Sequence, residues 1–192
     1  MNGRIISAMA MLAVLAGCAT LPAAPAPALT SADPLTSAAA LLIAAEEAPD
    51  AEARAPLIAR LDALGVKVLA DTGPTSVDDP LAEWRRHYTP VAGEVYRGRT
   101  LGPAYRRAQL AAGERLVIEQ IFTAGERAEM AAQTRGGQSV ALAVANNKAE
   151  KVCEAQLTPH ARCHWVPIFT ERFQITLVNR GTTPASVYLV FD

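Results

Sequence analysis

This chain is poor in the residues that advertise chemistry. Aromatics make up 5% of its 192 residues, and the three cysteines and three histidines are too few for a metal-rich or multiply stapled scaffold. Between Asp79 and Asp192 there is no aspartate, so the β-patterned half lacks the clustered carboxylates of a calcium loop. The formal net charge of −1 gives no field to gather nucleic acid. No Gly-x-Ser-x-Gly elbow, paired-carboxylate motif or phosphate-cradling glycine loop occurs. These absences exclude the catalytic, metal and cofactor sites that announce themselves by local motif; neither a catalytic residue nor a cofactor is assigned. No apolar run approaches the twenty or so residues of a membrane-spanning helix.

What is present divides by composition. Residues 1–17 have the parts of an export signal: Arg4 in a short positive region, then the apolar run from Ile5 to Leu15. A Pro/Ala-rich stretch with Pro22, Pro25, Pro27 and Pro34 follows, and residues 18–35 read as an extended tether. Residues 36–90 form an α-helical segment. Thr36 or Ser37 is the expected N-cap of an Ala-rich helix broken at Pro49-Asp50. A second helix carries Leu57, Ile58, Leu61 and Leu64 on one stripe, has Pro56 in its first turn and stops at Gly65. A single helix pair without a second copy is no solenoid. Asp79-Pro80 supplies cap and first residue to a short third helix, whose Trp84 reads as an anchor onto the sheet.

Residues 91–192 form the β domain. Strands are expected at 104–110, 115–122, 128–134, 138–146, 151–155, 162–168, 172–179 and 185–191, with turn signals at Gly113, Gly125, Gly136-Gly137, Asn146-Asn147, Thr158-Pro159 and Gly181. Short strands at such spacing predict a mainly β fold, an antiparallel β-sandwich or jelly roll of about eight strands preceded by a small α-helical segment. Phe173, Ile175 and Leu177, then Val187, Leu189 and Phe191, alternate with polar or smaller residues on either side of the 179–184 turn. That pattern predicts a hairpin with one apolar face. In the 138–146 strand Val140, Leu142 and Val144 oppose Ser139, Ala141, Ala143 and Ala145; the small-residue face predicts a seat for the helices or for a partner.

Cys153 and Cys163, on neighbouring strands, are expected to form a disulfide across a hairpin, as suits an exported domain. The alternative, zinc held by Cys153, His160, Cys163 and His164, is opposed by the adjacency of Cys163 and His164, whose side chains leave a strand on opposite faces. Tyr96, Tyr105 and Trp165 are the candidate ligand contacts, the tyrosines interleaved with Arg97, Arg99, Arg106 and Arg107. The plainer reading of that arginine/aromatic run is a solvated strand face.

Two resemblances add to this. Leu15-Ala16-Gly17-Cys18 at the end of the apolar run resembles a bacterial lipobox, which implies cleavage before Cys18, acylation of Cys18 (palmitate among the chains) and attachment to a lipid bilayer. Ala19-Thr20, with no aspartate after the cysteine, implies sorting to the outer membrane with the domain facing the periplasm. Residues 102–192 resemble the β-sandwich domains appended to secreted bacterial peptidases. The resemblance rests on Leu110-Ala111-Ala112-Gly113-Glu114, Phe122-Thr123-Ala124-Gly125, the Leu142-Ala143-Val144 strand, Phe173-Gln174-Ile175-Thr176-Leu177-Val178-Asn179 and Tyr188-Leu189. It implies a non-catalytic accessory module. The expected function is therefore an outer-membrane-anchored lipoprotein acting as an interaction or structural module, its partner an envelope protein or glycan and not nucleic acid. The alternatives are a peptidoglycan- or glycan-binding module and an envelope hydrolase with an unrecognised site.

Overall fold

A computed structural model describes residues 33–69, 79–88 and 102–192. All belong to one compact unit, Ser31–Asp192. The elements run α1 (Pro34–Glu47), α2 (Ala51–Ala63), β1 (Lys67–Val68), α3 (Pro80–Arg86), β2 (Ala104–Leu110), β3 (Arg115–Phe122), β4 (Ala128–Thr134), β5 (Val140–Ala145), β6 (Lys151–Leu157), β7 (His160–Trp165), β8 (Glu171–Asn179) and β9 (Ala185–Phe191).

Strands β2 to β9 form a jelly roll. One sheet has the order β1-β2-β9-β4-β7 and the other β3-β8-β5-β6, every pairing antiparallel except β1 with β2. Successive strands from β2 to β9 either pair within a sheet or cross between the two, which closes a double layer around one core. Ile118, Met130, Val140, Leu142, Val144, Leu157, Phe173, Ile175, Leu177, Val187 and Leu189 fill it. Each such side chain withdrawn from water contributes about 1.5–3 kcal/mol before conformational entropy is charged against it.

The strand pattern is as expected, but two pairings differ. β8 and β9 do not form a hairpin: β8 bonds to β3 and β5 in one sheet, β9 to β2 and β4 in the other. The 179–184 turn crosses between layers. Alternation shows that a strand has two unlike faces, not which neighbour it bonds to. Cys153 and Cys163 are joined, with Cα atoms 5.8 Å apart. They lie on β6 and β7, edge strands of opposite sheets, so the bridge ties layer to layer rather than spanning a hairpin.

The helices cover the outer face of the β2-β9-β4 sheet, not the small-residue face of β5, which lies in the other sheet with Ala141, Ala143 and Ala145 partly exposed. The reason is β9. All seven of its residues are buried. Val187, Leu189 and Phe191 enter the sandwich core, while Tyr188 and Val190 join Leu35, Ala38, Leu42, Ile58, Leu61, Leu81 and Tyr105 in a second core under the helices. A strand apolar on both faces needs a layer on each side. The fully buried alanines Ala38 and Ala45 of α1 allow a close approach of helix to sheet.

Local details also differ from expectation. α1 starts three or four residues early: Asp33, not Thr36 or Ser37, is the N-cap, and its carboxylate accepts from the Thr36 amide and hydroxyl. Pro34 occupies the first turn, where its missing N–H costs nothing. α2 is capped by Asp50, which places Pro56 inside the helix on its exposed side rather than in the first turn. Past α2, Gly65 adopts φ +70° and the chain meets Gly102 so closely that a Cβ there would stand 2.1 Å from the Gly65 carbonyl oxygen. Only glycine fits at 102.

Candidate functional site

Three turns meet at one end of the jelly roll: β3–β4, β5–β6 and β7–β8. The β3–β4 turn reverses at Gly125, φ +74°, whose N–H donates to the Pro167 carbonyl at 2.9 Å. The Ala124 N–H donates to Thr170 Oγ1 at 2.9 Å, so this turn props the β7–β8 loop from beneath. Asn146 organises the β5–β6 turn: its Oδ1 accepts from the Lys148 and Glu150 amides at 3.0 and 2.9 Å, and its Nδ2 donates to the Glu150 carboxylate at 2.7 Å. Ala149 there takes φ +61°, a left-handed conformation unusual for a residue with a Cβ.

Below these turns lies an aromatic floor. Phe122 meets Trp165 edge-on at 4.8 Å between centroids and Phe173 at 5.7 Å, and Phe191 closes the group at 6.4 Å from Phe122. Edge-to-face stacking of this kind adds about 0.5–1.5 kcal/mol per pair beyond burial. Above the floor, the β7–β8 loop turns apolar side chains outward: Ile168 is 82% exposed, Phe169 67% and Val166 59%. Val152 of β6 adjoins them, and the gap between the β5–β6 and β7–β8 turns is an open cleft of about 370 Å³. Lys148, Glu150 and Glu171 stand on its rim. Trp165 and Phe173 line its inner wall, and the Trp165 indole N–H, shut off from water, meets no acceptor. Such a surface has few groups with which to do acid–base or nucleophilic work. What it offers is apolar area, at positions where a folded chain gains nothing by displaying it.

The residues singled out in sequence fall elsewhere. Tyr105 is fully buried. Its hydroxyl donates to Asp79 and accepts from the Leu81 N–H at 3.1 Å, fastening the start of α3 to the sheet. Burial first, then the bond to Asp79, raises its proton affinity far above the ordinary tyrosine range. Trp165 is 9% exposed and belongs to the aromatic floor. Tyr105 offers no face to a surface ligand, which corrects the expectation for it: the alternation that placed it on a strand did not say which side the strand turns inward. Trp165 reaches the surface only as the inner wall of the cleft. Tyr96 and Cys18, with Arg97 and Arg99, lie outside the described residues. The Cys153–Cys163 bond consumes both sulfurs and so removes the zinc alternative; His160 and His164 are exposed. Trp84 packs against the helix-facing core with the Arg54 guanidinium 5.5 Å above its ring, an anchor as expected.

Sequence reasoning missed a polar lock between α1 and the sheet. Glu46 accepts from Arg107 at 3.0 Å and from the Ser186 hydroxyl at 3.1 Å, and Arg135 approaches to 3.7 Å. Arg107 is thus held against the helix rather than spread over a solvated face. The buried Tyr188 hydroxyl faces the same carboxylate without reaching hydrogen-bond geometry; burial first, and Glu46 second, hold its proton on. The outward apolar loop was missed too, because Val166 and Ile168 read as the end of a strand. Pro167, which cannot donate to a ladder, was the signal that β7 stops at Trp165.

No protein-family model and no curated protein matches this chain. Among solved structures, it is similar to PliG of Aeromonas hydrophila, a periplasmic inhibitor of g-type lysozyme, at 12% identity over 47% of this chain and 86% of that one, TM-score 0.36. The pre-peptidase C-terminal domain of a Bacillus anthracis collagenase aligns at 8% identity over 46% of this chain and 88% of that one, TM-score 0.39. The mitogen derived from Yersinia pseudotuberculosis aligns at 8% identity over 47% and 84%, TM-score 0.37. The second is a domain of the kind that residues 102–192 resemble in sequence. At these identities and scores nothing about what those proteins bind passes to this chain.

Proposed function

We propose that this protein is a non-catalytic lipoprotein of the bacterial envelope, held by acylated Cys18 at the outer membrane and facing the periplasm. Its jelly roll is an interaction module whose contact surface is the apolar turn end. The observation that carries this is the display of Val166, Ile168 and Phe169 around an open cleft, at an end of the domain braced by side-chain and backbone hydrogen bonds. The Cys153–Cys163 bond supports an oxidising compartment. No helix among the described residues is long and apolar enough to cross a membrane. For the alternative glycan-binding reading Tyr105 supplies no exposed ring, and Phe169, at the cleft, is the ring on which a sugar would stack.

Two experiments test the reading. Cys18→Ser in the full-length chain, or globomycin treatment, is expected to release the protein from outer-membrane fractions. Unchanged tight fractionation would sink the lipid-anchor claim. The acyl-free mature chain is expected not to sediment with purified peptidoglycan sacculi; retention on bare sacculi would replace the present reading with glycan binding.

A further inference from the structure

We infer that the apolar turn end is a lipid-facing surface: Ile168, Phe169 and Val166 enter the interface of the same bilayer that holds Cys18. This rests on the lipoprotein reading above and names the partner of its contact surface.

Shape is the first reason. Ile168 and Phe169 are 82% and 67% exposed on the loop between the β7 and β8 strand ends, on the wall of the open cleft. Apolar groups this exposed, around a gap, are accommodated by a soft apolar medium that conforms to them, whereas a protein partner has to supply a surface shaped to match.

Reach is the second. The described chain begins at Asp33, whose carboxylate lies 3.4 Å from the guanidinium of Arg162 in β7. Six residues further on is Ile168, three of them beyond the end of β7 and so at most roughly 20 Å away at full strand spacing. Residues 19–32 separate Asp33 from Cys18, a contour of at most about 50 Å. An anchor at Cys18 therefore leaves enough chain for this end to turn to the bilayer, and too little for the domain to leave its neighbourhood. Tethering at that range converts a weak surface affinity into frequent contact.

Charge is the third. The rim pairs one cation, Lys148, with Glu150 and Glu171, and Glu150 is occupied with Asn146. No basic patch recruits an acidic partner, and the attraction that remains is apolar. With the acyl chains supplying attachment, insertion of the loop sets orientation. The opposite end of the jelly roll, with the β2–β3 and β8–β9 turns, then points away from the membrane.

The test is flotation of the acyl-free mature chain (Cys18→Ser, from residue 18) with vesicles of phosphatidylethanolamine and phosphatidylglycerol. It is compared with the same chain carrying Ile168→Ser and Phe169→Ser. These two side chains are largely exposed, so the variant is expected to melt as the parent does, which is measured alongside. The expected result is measurable flotation of the parent and at least a tenfold lower partition coefficient for the variant. Equal partitioning of the two, or none for either at millimolar lipid, overturns the inference. Loss of capture of an envelope protein by the variant, with no vesicle binding by the parent, assigns the surface to a protein and also overturns it. Because the flotation chain carries no acyl group, its outcome is separate from that of the Cys18→Ser fractionation, which alone decides the lipid anchor.

Discussion

Replacing Asn179 is the sharpest probe of how the far end of the jelly roll is held. This residue is 1% exposed at the end of β8, where the chain crosses from one sheet to the other. Its Nδ2 donates to the carbonyls of Leu110 at 3.3 Å, Ala111 at 3.0 Å and Thr183 at 2.8 Å, and its Oδ1 accepts from the Gly181 N–H at 2.9 Å. One amide thus ties the β2–β3 turn to the β8–β9 crossover. Asn179→Ala leaves the Leu110 oxygen buried without this partner and exposes the others to partial replacement by water. Taking about 1–3 kcal/mol for the buried group and about 1 for each of the other three, the loss is about 4–6 kcal/mol. That corresponds to a fall in melting temperature of roughly 12–20 °C for a domain of this size. Asn179→Asp keeps the acceptor for Gly181 but turns a carboxylate toward the carbonyl oxygens, so at neutral pH it is at least as damaging as alanine. Burial and those oxygens raise the folded-state pKa of the new carboxyl above its unfolded value of about 3.9. The folded protein then holds a proton that the unfolded chain has released, and stability falls as pH rises through that interval. Relative to wild type, the aspartate variant is therefore expected to recover between pH 7 and pH 5, while the alanine variant does not. Urea or thermal melts at both pH values decide it. An alanine variant within about 1 kcal/mol of wild type, or an aspartate variant indifferent to pH, would refute the account.

Two further outcomes are expected from the same fold. Removing the disulfide by Cys153→Ala with Cys163→Ala, ten positions apart, should cost about 2–3 kcal/mol by loop entropy, read from urea midpoints; a cost near zero would mean that the two edges are held without it. Tyr105 and Tyr188, two of the four tyrosines, are fully buried with raised pKa values, so in folded protein they should stay protonated through pH 10 to 11 when followed by phenolate absorbance. A raised folded pKa is stability that is present below the unfolded value and lost above it. Alkaline unfolding should therefore steepen past pH 10 by up to about 2.7 kcal/mol per pH unit for the pair. Titration of all four tyrosines near pH 10 with the fold intact would contradict their burial.

Strand bounds at 104–110, 115–122, 128–134 and 185–191 were legible in the sequence because glycine turns punctuate them and alternation marks their faces. Partners were not, because a period of two is the same whether the next strand lies beside or across the core. Tyr188 shows the limit: beside Ser186 it passed for the polar face of a hairpin, yet it is buried under helices well over a hundred residues earlier in the chain. The contact surface was harder still. A run such as Val166-Pro167-Ile168-Phe169 has the composition of a core strand, and only three-dimensional placement shows that it faces outward. The lock at Glu46 depends on a helix–sheet juxtaposition spanning residues 46 to 186, for which no local spacing rule exists.

The order in which the chain is delivered gives β9 a further importance. It sits between β2 and β4 and forms part of both cores, yet it follows in sequence every strand and helix that it touches. As the chain emerges in order, β2 and β4 face a vacancy between them, and neither core is complete until residues 185–191 arrive. On the exported reading proposed above, late closure favours competence for transport, and β9 is the strand at which damage would undo both cores together.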